Sequence, residues 1–333
     1  MTLIADFQHN HFAHCESGVM SAMLQHNGLS LSEAMVFGLS GALCFAYLPF
    51  IKMNGLPVVS YRMPPGRIVK KLPPQIGMAY TYKTFKNEAH AMAELDEALI
   101  QNRPVGLQTS AYYTTYFPPE MRFHFNAHNI IVVGRQNGEY LVSDPVFDHI
   151  TRIKTEDLRK ARFAKGLFAP KGLAHYPLAP PKEIDLQRMI PKAIRKTART
   201  MLYAPLPWIG IKGIHCLART VQRIGQNGLE RRFRLFLSHV VRMQEEIGTG
   251  GGGFRFLYAS FLQEAHDHTG SKILAEAAPL MTEAGDTWRQ FAWACAQIIK
   301  RKKSAADTDR IAQLLRACAT KEKQVYRMLK GVK

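Results

Sequence analysis

The sequence has no long uninterrupted apolar run, few cysteines and few acidic residues in its second half, and each shortage narrows the classes of protein it can encode. No segment approaches the roughly 18 to 20 consecutive apolar residues of a membrane-spanning helix. Residues 1–6 lack the basic segment and apolar core of a signal peptide. The five cysteines are scattered and odd in number, which argues against a disulfide framework. We therefore expect a cytoplasmic protein, with peripheral attachment at the inner face of the membrane as an open alternative.

The shortage of acidic side chains is confined to the second half. Residues 1–150 contain 10 Lys or Arg and 11 Asp or Glu, whereas residues 151–333 contain 34 and 15. An excess of this size predicts an anionic partner: an acidic carrier protein, an anionic membrane surface or nucleic acid. No nucleic-acid-binding motif is present, so we expect no nucleic acid.

Recognised metal-binding spacings are also missing. His9, His11, His14 and Cys15 are crowded near the start, but their spacing matches no known zinc motif. We therefore expect neither a metal nor a bound cofactor.

The length of 333 residues is comfortable for two domains. A proline-rich stretch at 169–181 separates a part with mixed strand and helix patterns from a part that shows helix patterns alone. We predict an α+β fold, with one domain over residues 1–175 and a basic α-helical domain over residues 182–333.

The segment His14-Cys15-Glu16 places a thiol immediately before a helical stretch. Residues 19–26 contain no helix breaker and carry apolar side chains at helical spacing, so Cys15 is predicted in the first turn of a helix. The unpaired amides and the positive dipole end of a helix start favour a thiolate over a thiol. Cys15 is therefore a candidate nucleophile, while the simpler alternative for a lone cysteine is a small apolar residue at a packed helix start.

A second stretch far downstream strengthens the catalytic interpretation of Cys15. A β-branched run that begins at His128, a turn at Asn137-Gly138 and a second apolar run that ends at Asp144 together predict a β-hairpin. The two outer ends of an antiparallel pair lie side by side, so His128 and Asp144 are predicted to meet. A base for the thiol proton and a carboxylate to orient that base complete a Cys–His–Asp arrangement. His124 is the next candidate for the base.

These residues resemble the N-terminal domain of the butirosin biosynthesis protein H family. The resemblance covers about residues 10–170 and rests on His14-Cys15-Glu16, residues 31–41 and the hairpin from His128 to Asp144. A second resemblance, to the helical domain of unknown function that commonly follows, rests on Thr249-Gly250-Gly251-Gly252-Gly253-Phe254-Arg255 with Tyr258, Phe261, Leu262, Glu264 and Ala265. The family implies a papain-like fold, with Cys15 as nucleophile, His128 as base and Asp144 as orienting residue.

The same family implies a donor and an acceptor. Its namesake takes an aminoacyl group from an acyl carrier protein thioester and delivers it to an amine of an aminoglycoside. We therefore expect an acyltransferase that uses the phosphopantetheine thioester of an acyl carrier protein as donor and a small-molecule or lipid-like acceptor. Such transfers are typical of secondary-metabolite or lipid-like pathways. A papain-like cysteine peptidase or amidase is one alternative, and a non-catalytic carrier- or membrane-binding scaffold is another.

Two further sets of residues are candidates for binding. Papain-like enzymes usually place a glutamine about six residues before the cysteine to hold the oxyanion; that position is His9 here, and its neighbour Gln8 is our first candidate. The loop before His128 is aromatic, and its side chains line either an apolar substrate channel or the core: Tyr112, Tyr113, Tyr116 and Phe117.

The helical domain adds a glycine run and two basic amphipathic segments. The run at 250–253 precedes a helix, so Gly251, Gly252 and Gly253 are candidates for binding a phosphate such as that of phosphopantetheine, with a hinge or close helix packing as the alternative. Residues 186–202 and 213–224 flank Trp208 and either lie on an anionic membrane or pack in a helical bundle.

Overall fold

The structure is a computed structural model that describes residues 3–53, 55–180, 183–226, 230–301 and 305–333. The chain forms two compact units, one from Met1–Val36 and Pro64–Ile184 and the other from Phe37–Met63 and Asp185–Lys333. The first unit holds the main sheet and the second is largely helical. The predicted α+β fold is therefore confirmed.

The helices and strands follow one another along the chain in this order: α1 (Cys15–His26), α2 (Glu33–Leu39), β1 (Leu43–Met53), β2 (Leu56–Arg62), α3 (Arg67–Gln75), β3 (Tyr80–Lys83), α4 (Glu88–Ile100), β4 (Val105–Thr109), β5 (His128–Gln136), β6 (Glu139–Ser143), β7 (Thr151–Lys154), α5 (Thr155–Arg162), β8 (Ala174–Pro177), α6 (Leu186–Tyr203), α7 (Gly210–Gln226), α8 (Glu230–Glu245), α9 (Arg255–Thr269), α10 (Lys272–Arg301) and α11 (Ala305–Leu329).

The first unit is built on a six-stranded sheet in the order β3-β8-β4-β5-β6-β7, in which every neighbouring pair is antiparallel. Strand β5 lies inside the sheet, and its residues from His128 to Gly134 are all buried. Its β-branched run packs in one core with Val19 and Met23 of α1 and Leu95 of α4. The apolar face of α1 therefore fixes the position of Cys15 against the start of β5.

The predicted hairpin of β5 and β6 is present. Its turn consists of Asn137 and Gly138, with φ angles of 52° and 81°, as tight hairpin turns require. The register pairs Val132 with Val142 and Ile131 with Ser143. This pairing brings the start of β5 next to the residue that follows β6, as the sequence predicted.

Two boundaries differ from the sequence-based division. Residues 37–63, predicted in the first domain, belong to the second unit because the β1–β2 hairpin packs on its helices: Phe45 stacks on Trp288 at 5.6 Å and Tyr61 meets Trp288 edge-on at 5.3 Å. The predicted end at residue 175 falls inside β8, which lies between β3 and β4, so the sheet needs residues up to 177. The predicted start of the second domain, Lys182, lies outside the described residues.

Among the residues that the structure describes, no helix combines the length and the apolar character needed to cross a bilayer.

Candidate active site

Cys15 is the first residue of α1, as predicted. His14 is the N-cap, with an extended backbone, and its Nδ1 accepts a hydrogen bond from the Ser17 amide at 3.3 Å. The first amides of a helix have no acceptor within the helix, so the Cys15 N–H is placed to bind negative charge near its own sulfur. The Cys15 side chain is partly exposed, whereas Glu16 and Ser17 are fully buried.

The loop that leads into Cys15 is held by Glu33, the first residue of α2. Its Oε2 accepts from the Ala13 amide at 2.9 Å, and its Oε1 accepts from the His14 amide at 2.7 Å and the Ser17 hydroxyl at 3.0 Å. Burial raises the pKa of this carboxyl, while the same hydrogen bonds oppose the rise. Glu33 therefore fixes the backbone immediately before the thiol.

The residue after Cys15 is held by a second contact. Oε1 of Glu16 accepts from the amides of Ile68 at 2.8 Å and Val69 at 3.4 Å, in the first turn of α3. A carboxylate at a helix start satisfies amides that lack a partner within the helix. The backbone on both sides of Cys15 is thus anchored by two glutamates, the buried Glu16 and the partly buried Glu33.

His128 and Asp144 are in direct contact. Nε2 of His128 lies 2.7 Å from Oδ2 of Asp144, and both side chains are buried. Burial lowers the pKa of His128. The negative charge of Asp144 and the hydrogen bonds of His128 to Asp144 and Cys15 outweigh burial and raise this pKa to about 10. Because Asp144 occupies Nε2, Nδ1 is the ring nitrogen left for Cys15. The structure therefore brings the three predicted catalytic residues together.

The Asp144 carboxylate is fixed from several sides. Its Oδ2 also accepts from the Tyr116 hydroxyl at 2.8 Å, and its Oδ1 accepts from the Val146 amide at 3.0 Å. Burial, followed by the negative charge of Asp144, raises the pKa of Tyr116 well above its usual value. Phe117 meets the His128 ring edge-on at 5.2 Å. The imidazole is thus held by an apolar ring and by an oriented carboxylate.

The four aromatic residues predicted to bind substrate separate into two pairs. Tyr116 and Phe117 pack on the His128–Asp144 pair, which is the packing alternative. Tyr112 is exposed, stacks on His124 at 4.1 Å and meets Tyr113 edge-on at 5.1 Å. A substrate-binding role stays a prediction for Tyr112 and Tyr113.

Gln8 does not lie at the thiol. Its Oε1 accepts from Nε2 of Gln25 at 2.8 Å, and Gln25 is in the last turn of α1, about 15 Å along the helix from Cys15 at 1.5 Å per residue. His9, at the family's glutamine position, instead lies 2.7 Å from the Ser143 hydroxyl through Nδ1. The predicted oxyanion role of Gln8 is therefore wrong, because its amide is engaged at the opposite end of the helix.

Asn129 is a site residue that the sequence did not indicate. Its Nδ2 lies 3.9 Å from Sγ of Cys15 and donates to the Ala127 carbonyl at 3.1 Å, and the side chain is buried. Side chains of consecutive strand residues usually point to opposite faces, so a site on the His128 side of β5 predicts that its neighbour points away from Cys15. The position next to His128 is the only signal that could have found it.

The glycine run of the second unit serves close packing. Gly251, Gly252 and Gly253 are buried with positive φ, and a Cβ on Gly253 would lie 2.3 Å from the Tyr61 ring. The Gly252 amide donates to the Glu245 carboxylate at 3.2 Å. A carboxylate of the chain thus takes the place predicted for a phosphate, and the packing alternative describes this run.

Within the described residues, no three His, Cys, Asp or Glu side chains are grouped so that they could hold a metal ion.

Two family models and one solved structure match parts of this chain. The family model described as Butirosin biosynthesis protein H, N-terminal, matches residues 14–145, a range that contains Cys15, His128 and Asp144. The model described as Domain of unknown function (DUF4872) matches residues 156–329. A crystal structure described as a C39-like peptidase from Bacillus anthracis is 15% identical, with a TM-score of 0.37, over 54% of this chain and 98% of that chain. No curated protein matches the sequence.

Proposed function

Because the chain belongs to the family in which a butirosin biosynthesis protein H N-terminal domain is followed by the domain of unknown function DUF4872, we propose that it is a papain-like cysteine acyltransferase. It moves an acyl or aminoacyl group from the phosphopantetheine thioester of an acyl carrier protein to an amine or hydroxyl of a small-molecule or lipid-like acceptor. The observation that carries the proposal is the buried His128–Asp144 pair, which hydrogen-bonds with a partly exposed thiol at a helix start.

The first half of the reaction loads the enzyme. His128 holds the proton of the Cys15 thiol, and the thiolate attacks the thioester carbonyl of the donor. As the tetrahedral intermediate collapses, the bond between the carbonyl carbon and the phosphopantetheine sulfur breaks. His128 gives its proton to the departing sulfur, and the acyl group remains on Cys15 as a new thioester.

The second half delivers the acyl group. The acceptor amine or hydroxyl attacks the acyl-enzyme while neutral His128 removes its proton. The bond between the acyl carbon and Sγ then breaks, which yields an amide or ester and returns the thiolate beside a protonated His128. Asp144 keeps the ring oriented throughout and stabilises its positive charge.

Two N–H donors are in position for the oxyanion of both tetrahedral intermediates. The Cys15 amide lies at the start of α1, and Nδ2 of Asn129 lies 3.9 Å from Sγ. Preorganised donors of this kind commonly contribute about 10²–10³-fold to acyl transfer. Asn129 therefore takes the role that a glutamine has in other papain-like enzymes.

The charge of the chain supports an acidic protein as the donor. Residues 151–333 carry 34 Lys or Arg against 15 Asp or Glu, and complementary charge raises the rate at which two proteins meet. An acyl carrier protein supplies both the negative surface and an activated thioester.

Intact-protein mass spectrometry tests this proposal. The full chain is mixed with acyl carrier proteins loaded with varied acyl groups, and a mass gain equal to the acyl group is expected. We expect the gain to be absent in Cys15→Ala and retained in Cys216→Ala, which removes another partly exposed cysteine. Unloaded carrier protein should give no gain.

Two negative results would replace acyl transfer with an alternative. If no adduct forms while Cys15 reacts rapidly with iodoacetamide and the protein cleaves a peptide or amide, a cysteine peptidase or amidase is the function. If Cys15 reacts slowly with iodoacetamide, the first unit is an inert scaffold.

A further inference from the structure

Large apolar side chains are exposed together at one place on the second unit. Phe50 is 59% exposed and Ile51 is 43% exposed, both on β1, while Leu206, 50% exposed, lies in the segment between α6 and α7. The Trp208 ring meets Phe50 edge-on at 4.8 Å and is partly exposed. We call Phe50, Ile51, Leu206 and Trp208 the apolar tip.

The two parts of the apolar tip are joined through the backbone. The Tyr47 amide of β1 donates to the Trp208 carbonyl at 2.9 Å, and Ala46 pairs with Ile209 in an antiparallel bridge. The segment between α6 and α7 is therefore fastened along β1. The apolar tip is one fixed surface feature rather than two independent loops.

Positive charge flanks the apolar tip in the sequence, and two lysines lie beside it in the structure. Residues 186–242, which include α6 and α7 and most of α8, contain 12 Lys or Arg and one acidic residue, Glu230. Lys52 directly follows Ile51 and is exposed. The exposed Lys212 near the start of α7 donates to the Ala204 carbonyl at 3.2 Å, in the segment that carries Leu206. Exposed apolar groups and cations thus share one region.

The helices around the apolar tip do not themselves offer an apolar face. Ile190 and Ile194 of α6 and Ile214, Leu217 and Val221 of α7 are fully buried. The bundle alternative for these two segments therefore describes their packing. A helix lying flat on a membrane by its apolar face is excluded, and the apolar tip is the part left to insert.

We propose that the apolar tip inserts into the interfacial layer of an anionic membrane, with Lys52 and Lys212 at the level of the lipid phosphates. Aromatic and aliphatic side chains are stabilised at the boundary between headgroups and acyl chains, and each Lys or Arg near an anionic surface strengthens the binding. A wholly polar acidic surface would satisfy the charge but would leave Phe50 and Ile51 in contact with water. This membrane contact does not depend on the proposed acyl transfer.

Vesicle sedimentation of the full chain tests the proposal. We expect binding to vesicles of equal parts phosphatidylglycerol and phosphatidylcholine, and at least tenfold weaker binding to phosphatidylcholine alone. The double variant Phe50→Ser with Leu206→Ser is expected to bind anionic vesicles at least tenfold more weakly. The control Trp293→Ser removes an aromatic side chain of α10 that is 60% exposed, and it should bind as the unaltered protein does.

The charge contribution has its own variants. Lys52→Glu with Lys212→Glu is expected to reduce binding to anionic vesicles at least tenfold. Lys272→Glu, at the start of α10, is the matched control and should have little effect. Equal binding to neutral and anionic vesicles would overturn the role of charge.

A spectroscopic readout needs no change in the apolar tip. In a Trp293→Phe background the emission reports Trp208 and the fully buried Trp288. Anionic vesicles should shift the emission to shorter wavelength as Trp208 leaves water. The membrane proposal would be refuted if vesicles caused neither a shift of the emission nor sedimentation of the protein. It would also be refuted if the unaltered protein did not bind vesicles and the Phe50 and Leu206 variant lost binding to an acidic carrier protein.

Discussion

The hydroxyl of Tyr116 donates a hydrogen bond to Oδ2 of Asp144 at 2.8 Å, and this same oxygen accepts from Nε2 of His128. Hydrogen bonds to charged groups contribute about 1.5–3 kcal/mol, so we expect Tyr116→Phe to slow acylation of Cys15 about tenfold or more. The loss should fall on kcat rather than KM, because Tyr116 orients the base through Asp144. This rate is measured by stopping the reaction at successive times and following the intact mass of the protein.

Tyr203→Phe is the control for this change. Tyr203 is 59% exposed at the end of α6, so loss of its hydroxyl should leave the acylation rate within about twofold. Equal effects of the two substitutions would show that Tyr116 does not act through Asp144.

Asp144 controls the protonation of His128. The pKa of His128 is raised to about 10 from 6.5 because the Asp144 carboxylate and its hydrogen bond, joined by Cys15, outweigh burial. We expect Asp144→Asn to lower this pKa, so that the imidazolium is lost at lower pH. The alkaline limb of the acylation rate should therefore move by more than about one pH unit toward acid, by the free-energy relation of pKa shifts.

The same pKa has a consequence for stability. Because the folded value lies above the unfolded one, the stabilisation is fully present below about pH 6.5 and is lost as the pH rises toward about 10. The free energy of unfolding of Asp144→Asn, measured with urea, should not show this loss over the same pH range. An unchanged alkaline limb and an unchanged stability profile would mean that Asp144 does not set the charge of His128.

Glu33 is predicted to hold the nucleophile loop in place. A glutamine keeps one acceptor oxygen but turns an N–H group toward a donor, so at least one of the three hydrogen bonds from Ala13, His14 and Ser17 is lost. We expect Glu33→Gln to lower the free energy of unfolding by about 1–3 kcal/mol. Urea unfolding measures this change. Glu97→Gln, on the exposed side of α4, should lower the free energy of unfolding far less. An equal loss in the two variants would argue against a role of Glu33 in holding the loop before Cys15.

Asn129 and Gln8 give opposite expectations. We expect Asn129→Ala to slow acylation about a hundredfold, as loss of an oxyanion donor does. Alkylation of Cys15 by iodoacetamide forms no oxyanion and should stay fast in this variant. Gln8→Ala should leave both rates unchanged because Gln8 is engaged by Gln25. Slow alkylation of Asn129→Ala would point to a displaced thiol instead.

The helix start at Cys15 and the hairpin of β5 and β6 were predicted from local signals. Cys15 precedes an uninterrupted helical pattern, and Asn137-Gly138 fixes the register that brings His128 to Asp144. Each signal lies within a few residues of the feature that it specifies. The helix start and the hairpin were therefore accessible without a structure.

The parts that were missed depend on contacts between distant residues. Asn129 reaches Cys15 across the packing of α1 on β5, and Phe45 reaches Trp288 across most of the chain. Gln8 was placed by an offset along the chain, but the path of the segment before α1 carries its amide to Gln25. Such contacts leave no periodic pattern in the sequence, so neither the contact of Asn129 with Cys15 nor the placement of residues 37–63 in the second unit could be predicted.

A buried ion pair in the second unit sets the last prediction. Nε and Nη2 of Arg255 donate to the two carboxylate oxygens of Glu322 at 2.9 and 3.1 Å, and Trp288 donates to Oε1 at 2.6 Å. All three side chains are fully buried. Glu322→Gln would leave the guanidinium buried without its counter-ion, so we expect the free energy of unfolding to fall by about 3–5 kcal/mol.

The neighbouring pair of Lys321 and Glu283 provides a matched control, because its N–O distance is 3.0 Å but both side chains are 42% or more exposed. Water screens such a pair, so Glu283→Gln should cost at most about 1 kcal/mol. Urea unfolding of the full chain compares the two variants. If both variants lose the same small free energy of unfolding, the Arg255 charge is neutralised by some group other than Glu322. If only Glu322→Gln loses a large free energy of unfolding, the buried pair is what stabilises the helical unit.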